Sequence, residues 1–284
     1  MTSPGDDAIK NDATKHKAQL TGVSETALLT LYGRAREAGR PDGVIDDPMA
    51  IRLLDSIDYD FSRFGSPRQD MSIRAKTFDR WTTKYLSTHP DATVVALAEG
   101  LQTSFWRIDA ALPGARFRWV TVDLPPIVDI RHRLLPASPR IELRAQSALD
   151  YGWMDQVDAT AGVFITAEGL LMYLQPEQSL DLIAECAKRF PGAQMLFDVP
   201  PAWFAGLSRR GWLRTSLKYT VPAMPFSLTP TEAAKLIDLP GVRSVRDIQL
   251  EPGRGAVING LISLAHSSKL FHPLRGVLTL LEFG

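Results

Sequence analysis

From Val23, apolar residues recur at helical spacing, with Leu28, Leu29 and Tyr32 on one side. Gly39 and the Arg40-Pro41-Asp42-Gly43 stretch end that helix. Asp47-Pro48 reads as an N-cap followed by proline at the first helical position, with Met49, Ile51, Leu53 and Leu54 on the buried side. A third helix is predicted from Ser72 to Leu86, turning Ile73, Phe78, Trp81 and Tyr85 inward. From Thr93 the period changes. Short apolar runs at 93–100, 116–123, 140–148, 161–174 and 193–199 predict strands. Helical patterns at 101–113, 125–136 and 176–190 separate them. A stretch rich in Trp, Arg and Pro follows at 200–228, then a helix from Thr229 to Leu239 and strands at about 242–250 and 257–265.

Strands alternating with helices predict an α/β fold, a doubly wound, mostly parallel sheet. The domain reading is a flexible arm over residues 1–20, then a single domain over 21–284. Within it fall a helical cap at about 21–90, the sheet core at about 91–284 and an inserted helical lid at about 201–228.

Composition narrows the field. Of 284 residues, 45% are hydrophobic and 23% charged, which excludes wholesale disorder. Lys and Arg number 32 and so do Asp and Glu, so the basic excess of a nucleic-acid binder is lacking. Cys186 stands alone, which excludes an intrachain disulfide framework, and the five histidines show no metal spacing. With no apolar run of spanning length and no secretory apolar region at the start, a soluble cytoplasmic protein without a membrane partner is expected.

Ligands of such sheets bind at the carboxyl ends of the strands. The first strand turns at Ala98-Glu99-Gly100, and the second ends at Asp123, a spacing suited to an acid that takes a ribose diol. Asp123 serves equally well as a cap for the helix opened by Pro125-Pro126. The turn lacks G-x-G-x-x-G, and the chain lacks a phosphate loop. Glu99 in the loop and Glu168 at an apolar strand end would repel a pyrophosphate and attract a sulfonium. The signs therefore favour S-adenosylmethionine over NAD or ATP.

These motifs, in this order, resemble the leucine carboxyl methyltransferase family, most closely its bacterial polyketide-type O-methyltransferase branch. The resemblance spans roughly residues 23–200. It rests on GRAREAGRPDGVIDDPMA, RAKTFDRW, VVALAEGLQTSFWRID, VDLPPIVDIRHRLLP, RAQSALDYGWMD and AEGLLMYL. It implies a class I, Rossmann-like methyltransferase using S-adenosylmethionine. By the same resemblance Arg74 pairs with the methionine carboxylate, Gly100 lies in the first loop and Asp123 takes the ribose. Ser147 and Ala148 fall at the adenine, and Glu168 is the acid of EGLLMYL. Arg34 is a looser match to a basic residue closing over the cofactor. The chain departs from the usual G-x-G-L-D-T-R loop at Ala98, Gln102 and Ser104, and from the usual Asp-Leu pair at Ser147-Ala148.

No catalytic base is recognisable, which suits an acceptor already ionised near neutral pH, such as a carboxylate. Arg209, Arg210, Trp212 and Tyr219, with Arg214 and Lys218 beside them, suit an apolar cationic lid over a polyketide-like or acyl small molecule. They suit a basic amphipathic surface equally well. A non-catalytic binding or regulatory protein of the same fold is the alternative, because of the altered loop.

Overall fold

The computed structural model describes residues 15–284. The first fourteen residues of the expected arm lie outside that range. The rest of the arm is not free: His16–Lys17 pairs in parallel with Ile57–Asp58, and Leu20 is buried.

Seven strands build one sheet. They are β1 (Thr93–Leu97), β2 (Arg118–Asp123), β3 (Ile141–Ala145), β4 (Val163–Ala167), β5 (Gln194–Val199), β6 (Val242–Asp247) and β7 (Val277–Phe283). Their order is β6-β7-β5-β4-β1-β2-β3. All neighbours are parallel except β7, which runs antiparallel to both β5 and β6. Every residue of β1 and β4 is buried, as expected of strands covered on both faces. The chain leaves β1 toward β2 and β3, then returns to the other side as β4 and β5. That reversal opens a crevice at the carboxyl ends of β1 and β4.

Three helices precede the sheet: α1 (Thr26–Ala38), α2 (Pro48–Asp55) and α3 (Asp70–Leu86). Asp47 caps α2 as expected, accepting from the Ala50 amide at 2.9 Å. Between and after the strands lie α4 (Ser104–Ala111), α5 (Pro125–Leu134), α6 (Pro176–Arg189), α7 (Ala202–Arg209), α8 (Pro230–Ala234) and α9 (Ala256–Ser267). The expected lid is only partly helical. Beyond α7 it continues as a small hairpin, Arg214–Ser216 with Tyr219–Thr220. The cap and this lid share one apolar cluster, in which Leu28, Leu31, Leu53 and Phe64 meet Tyr219, Val221 and Met224. Leu101, just after β1, belongs to the same cluster.

Two expectations fail at the C-terminal end. Residues 257–265 are not a strand; they lie in α9. A short run rich in Val, Ile and Leu carries either period. The last strand is instead β7, inserted between β5 and β6.

Candidate functional site

The first loop is a tight left-handed turn. Ala98 has φ +48° and Gly100 φ +61°. A Cβ on Gly100 would come 3.2 Å from that of Ala27, so the cap closes against the glycine directly. The Gly100 amide donates to Asp123 Oδ2 at 2.6 Å, and the Leu124 amide donates to Oδ1 at 2.7 Å. Each oxygen keeps lone-pair capacity beyond its backbone donor. Burial pushes the Asp123 carboxyl up to about 6, while the two amides pull the other way.

Arg74 of α3 reaches the strand ends across the cap. Its Nε donates to Glu168 at 2.9 Å and its Nη1 to Asp198 at 3.3 Å. Burial opposes the guanidinium charge, but Asp198 and Glu168 outweigh it and hold the group above its ordinary value. The guanidinium passes over Gly169, at φ +69°, where a Cβ would lie 3.2 Å from Nη1. Among the described residues, Nη2 has no hydrogen-bond partner, which leaves a donor edge for a carboxylate. Glu168 also accepts from Gln102 Nε2 at 2.7 Å.

Buried arginines hold the loop from behind. Arg131 donates through Nη1 to the carbonyls of Gly100 (2.9 Å) and Gln102 (2.8 Å), and Arg34 Nη2 to that of Leu101 (2.6 Å). Arg34 is therefore not a group closing over the cofactor; it is fully buried beside Asp47. Nor is the Glu99 carboxylate turned to a ligand. It pairs with Arg131 at 3.0 Å and accepts from Trp119 (3.2 Å) and Thr121 (2.5 Å). Arg107 clasps both Asp47 and Asp79, and its Nη2 donates to Ser104 at 2.9 Å. Gln102 and Ser104, two of the departures in the loop, are thus hydrogen-bonded members of this framework. Asp198, Arg131 and Arg107 had no assigned role in the sequence. A charged residue on an otherwise apolar helix side, as Arg131 is in α5, is the signal that could have found the second.

One cavity, of about 890 Å³, joins these groups. Arg74, Gly100, Asp123, Ser147, Ala148 and Glu168 all line it. The four expected substrate residues do not. Arg209 donates to the Met224 carbonyl at 3.1 Å, Arg210 lies 5.5 Å from the Trp212 ring, and Trp212 is exposed. Tyr219 is buried edge-on against Phe64, 4.7 Å between ring centroids. From the lid, the wall takes Phe204, Leu213, Arg214 and Thr215. From α9 it takes Leu261 and His266. His266 Nδ1 lies 3.8 Å from Asp247 Oδ2, and Arg275 grips the same carboxylate. No group of three metal-ligating side chains occurs among the described residues.

The donor set fits an adenosine bearing both a cation and a carboxylate. Asp123 keeps acceptor capacity at the cavity wall, Glu168 and Asp198 supply negative charge, and Arg74 offers its free edge. Comparison with known proteins places the chain in a family. The sequence profile of leucine carboxyl methyltransferases matches residues 27–187. The tetracenomycin polyketide synthesis O-methyltransferase TcmP of Streptomyces glaucescens is 32% identical over 84% of this chain and 92% of its own. The S-adenosyl-L-methionine-dependent methyltransferase dpfgK of Gibberella zeae is 28% identical over 66% of this chain and 69% of its own. Two solved structures share the fold. A DUF574 family protein of Streptomyces avermitilis has TM-score 0.58 at 15% identity, covering 91% of this chain and 97% of its own. The CurJ carbon methyltransferase has TM-score 0.51 at 12% identity, covering 92% and 68%.

Proposed function

The chain belongs to the leucine carboxyl methyltransferase family and is an S-adenosylmethionine-dependent methyltransferase, and we propose that it methylates an oxygen of a small, largely apolar molecule. The observation that carries this is the meeting of Arg74, Asp123, Glu168 and Asp198 around one cavity whose other walls are mostly apolar. When bound, the cofactor supplies a methyl group on a sulfonium, open to in-line displacement by the acceptor oxygen. The chain supplies position. Arg74 orients the methionine end and Asp123 the ribose. Phe204, Leu213 and Leu261 keep water from the acceptor.

The acceptor we favour is a carboxylate or another pre-ionised oxygen, steered by Arg214, a lid cation on the cavity wall. Such an acceptor needs no base. A second reading is a phenol or alcohol. It is favoured by His266, which faces the cavity and is backed by Asp247. There the imidazole would take the hydroxyl proton as the oxygen bonds to the methyl carbon. The pH profile decides between them. A carboxylate gives a rate flat above about pH 6. A rate that still climbs between about pH 6 and 7.5, and is cut at least a hundredfold by His266→Gln, selects the hydroxyl. The cofactor assignment is tested apart from turnover. Calorimetry should show binding of S-adenosylhomocysteine and none of NAD, and the reverse result sinks the reading.

A further inference from the structure

The whole chain is electrically neutral, yet two segments beside the cavity carry no acid at all. Residues 199–231 and 252–281 contain neither Asp nor Glu. The first forms α7 and the lid hairpin, the second α9 and the lead into β7. Both contribute to the same cavity wall, and Trp203 Nε1 donates to the Leu274 carbonyl between them at 3.0 Å. Arg209, Arg210, Arg214 and Lys218 make no ion pair among the described residues; Asp60, on the cap side, lies within electrostatic reach of Lys218.

The same segments expose their large apolar side chains. Leu217 at the hairpin tip is 94% exposed and Trp212 beside it 69%. No residue of α9 is buried, although Val257, Ile258, Leu261 and Leu264 are all apolar. Leu270 and Leu274, farther along the second segment, are exposed as well. Exposed apolar side chains gathered on the two segments that wall one cavity mark an interaction site.

We infer that this face docks on an anionic lipid surface, with Trp212, Leu217 and the outer side of α9 in the headgroup boundary and Arg210 and Lys218 at the phosphates. The docking is peripheral, since no helix of the described residues is long and apolar enough to cross a membrane. Charge selects this occupant. A second copy meeting face to face would bring the unpaired lid cations of each copy, Arg210 and Lys218 among them, against those of the other, which is repulsive. An acidic protein would pair the cations but leave Leu217 and Val257 against charge. An anionic bilayer satisfies both, apolar beneath and phosphate above. The cavity mouth would then open onto the membrane, so that an apolar acceptor enters from lipid rather than from water.

The test is co-sedimentation of the full chain with vesicles of phosphatidylcholine alone, or of phosphatidylcholine with about one-third phosphatidylglycerol. Binding should appear only with the anionic vesicles and weaken with salt. Arg210→Gln with Lys218→Gln should weaken it roughly thirtyfold, since each cation near the surface contributes about fivefold. Trp212→Ser with Leu217→Ser should abolish it. All four positions are exposed and lie off the cavity wall, so S-adenosylhomocysteine affinity should be unchanged in both variants. Three results overturn the inference. One is equal or absent sedimentation with the two vesicle types. Another is unaltered binding of the serine variant. The third is a concentration-dependent dimer that Leu217→Ser dissociates.

Discussion

At the scale of single residues, Asp123 carries two separable roles. A hydrogen bond to a charged acceptor is worth about 1.5–3 kcal/mol. Asp123→Ala should therefore lower S-adenosylhomocysteine affinity at least tenfold, as read by calorimetry. Its raised value, about 6, also makes the free protein pH-sensitive. The folded state holds this proton more tightly than the unfolded chain. The contribution is thus fully present below the unfolded value near 4, and lost as pH rises through about 6. Unfolding measured without cofactor should show wild-type stability falling over that window, relative to Asp123→Asn, by about 2–3 kcal/mol. Parallel profiles would refute it. Ala98 tests the turn. An L-residue in the left-handed region costs about 1–2 kcal/mol, partly offset by the chain entropy that glycine adds. Ala98→Gly should stabilise by up to about 1 kcal/mol in denaturant titration. Much at this scale was legible. Gly100, Asp123 and Glu168 stand out as special residues at or near strand ends, Arg74 in α3 is marked only by the family resemblance, and all four reach the cavity. Side-chain direction was not legible. Glu99 lines the cavity, yet its carboxylate is buried and engaged by Thr121 and Trp119 of the neighbouring strand and by Arg131 of α5. Tyr219 looked like a lid contact, yet its ring fills space beside Phe64.

At the scale of elements, what joins cap to sheet is a set of buried charges rather than apolar packing alone. Burial opposes the Asp47 carboxylate, but Arg107 and Arg34 hold it well below the usual range. Removing one partner leaves the others buried and uncompensated, a loss of about 3–5 kcal/mol. Arg107→Met, which keeps much of the side chain's length, should cost that much in denaturant unfolding. It should also loosen Ser104 and Gln102, and through Gln102 the position of Glu168. A loss within about 0.5 kcal/mol would show the pairs to be solvent-screened. The helices and strands before residue 200 follow the apolar pattern closely, because caps and prolines punctuate it: Asp47-Pro48 opens α2, and Pro176 opens α6. Beyond residue 250 that punctuation thins. Gly255 precedes α9 without a side-chain cap, and no buried face imposes a period. The antiparallel insertion of β7 depends on which strands it finds beside it, a long-range fact that local sequence does not record.

At the scale of the whole molecule, the cap, the lid and the first loop share one apolar cluster, so they respond together. Phe64 is almost wholly buried where cap meets hairpin. Phe64→Ala should cost about 3–5 kcal/mol. Hydrogen exchange should quicken from Tyr219 to Met224 while amides of β1 and β4 keep their protection. Uniform acceleration would mean that the lid has no separate stability. The bond from Arg34 to the Leu101 carbonyl has a wider consequence for traffic through the enzyme. It fastens the cap to the very loop that carries Gly100, so the cap cannot swing aside without disturbing the cofactor's own seat. An opening between α9 and the lid would leave that seat untouched, since no residue of α9 is buried. Product departure then becomes a question of how fast that opening forms, while the cofactor end keeps its shape from one turnover to the next.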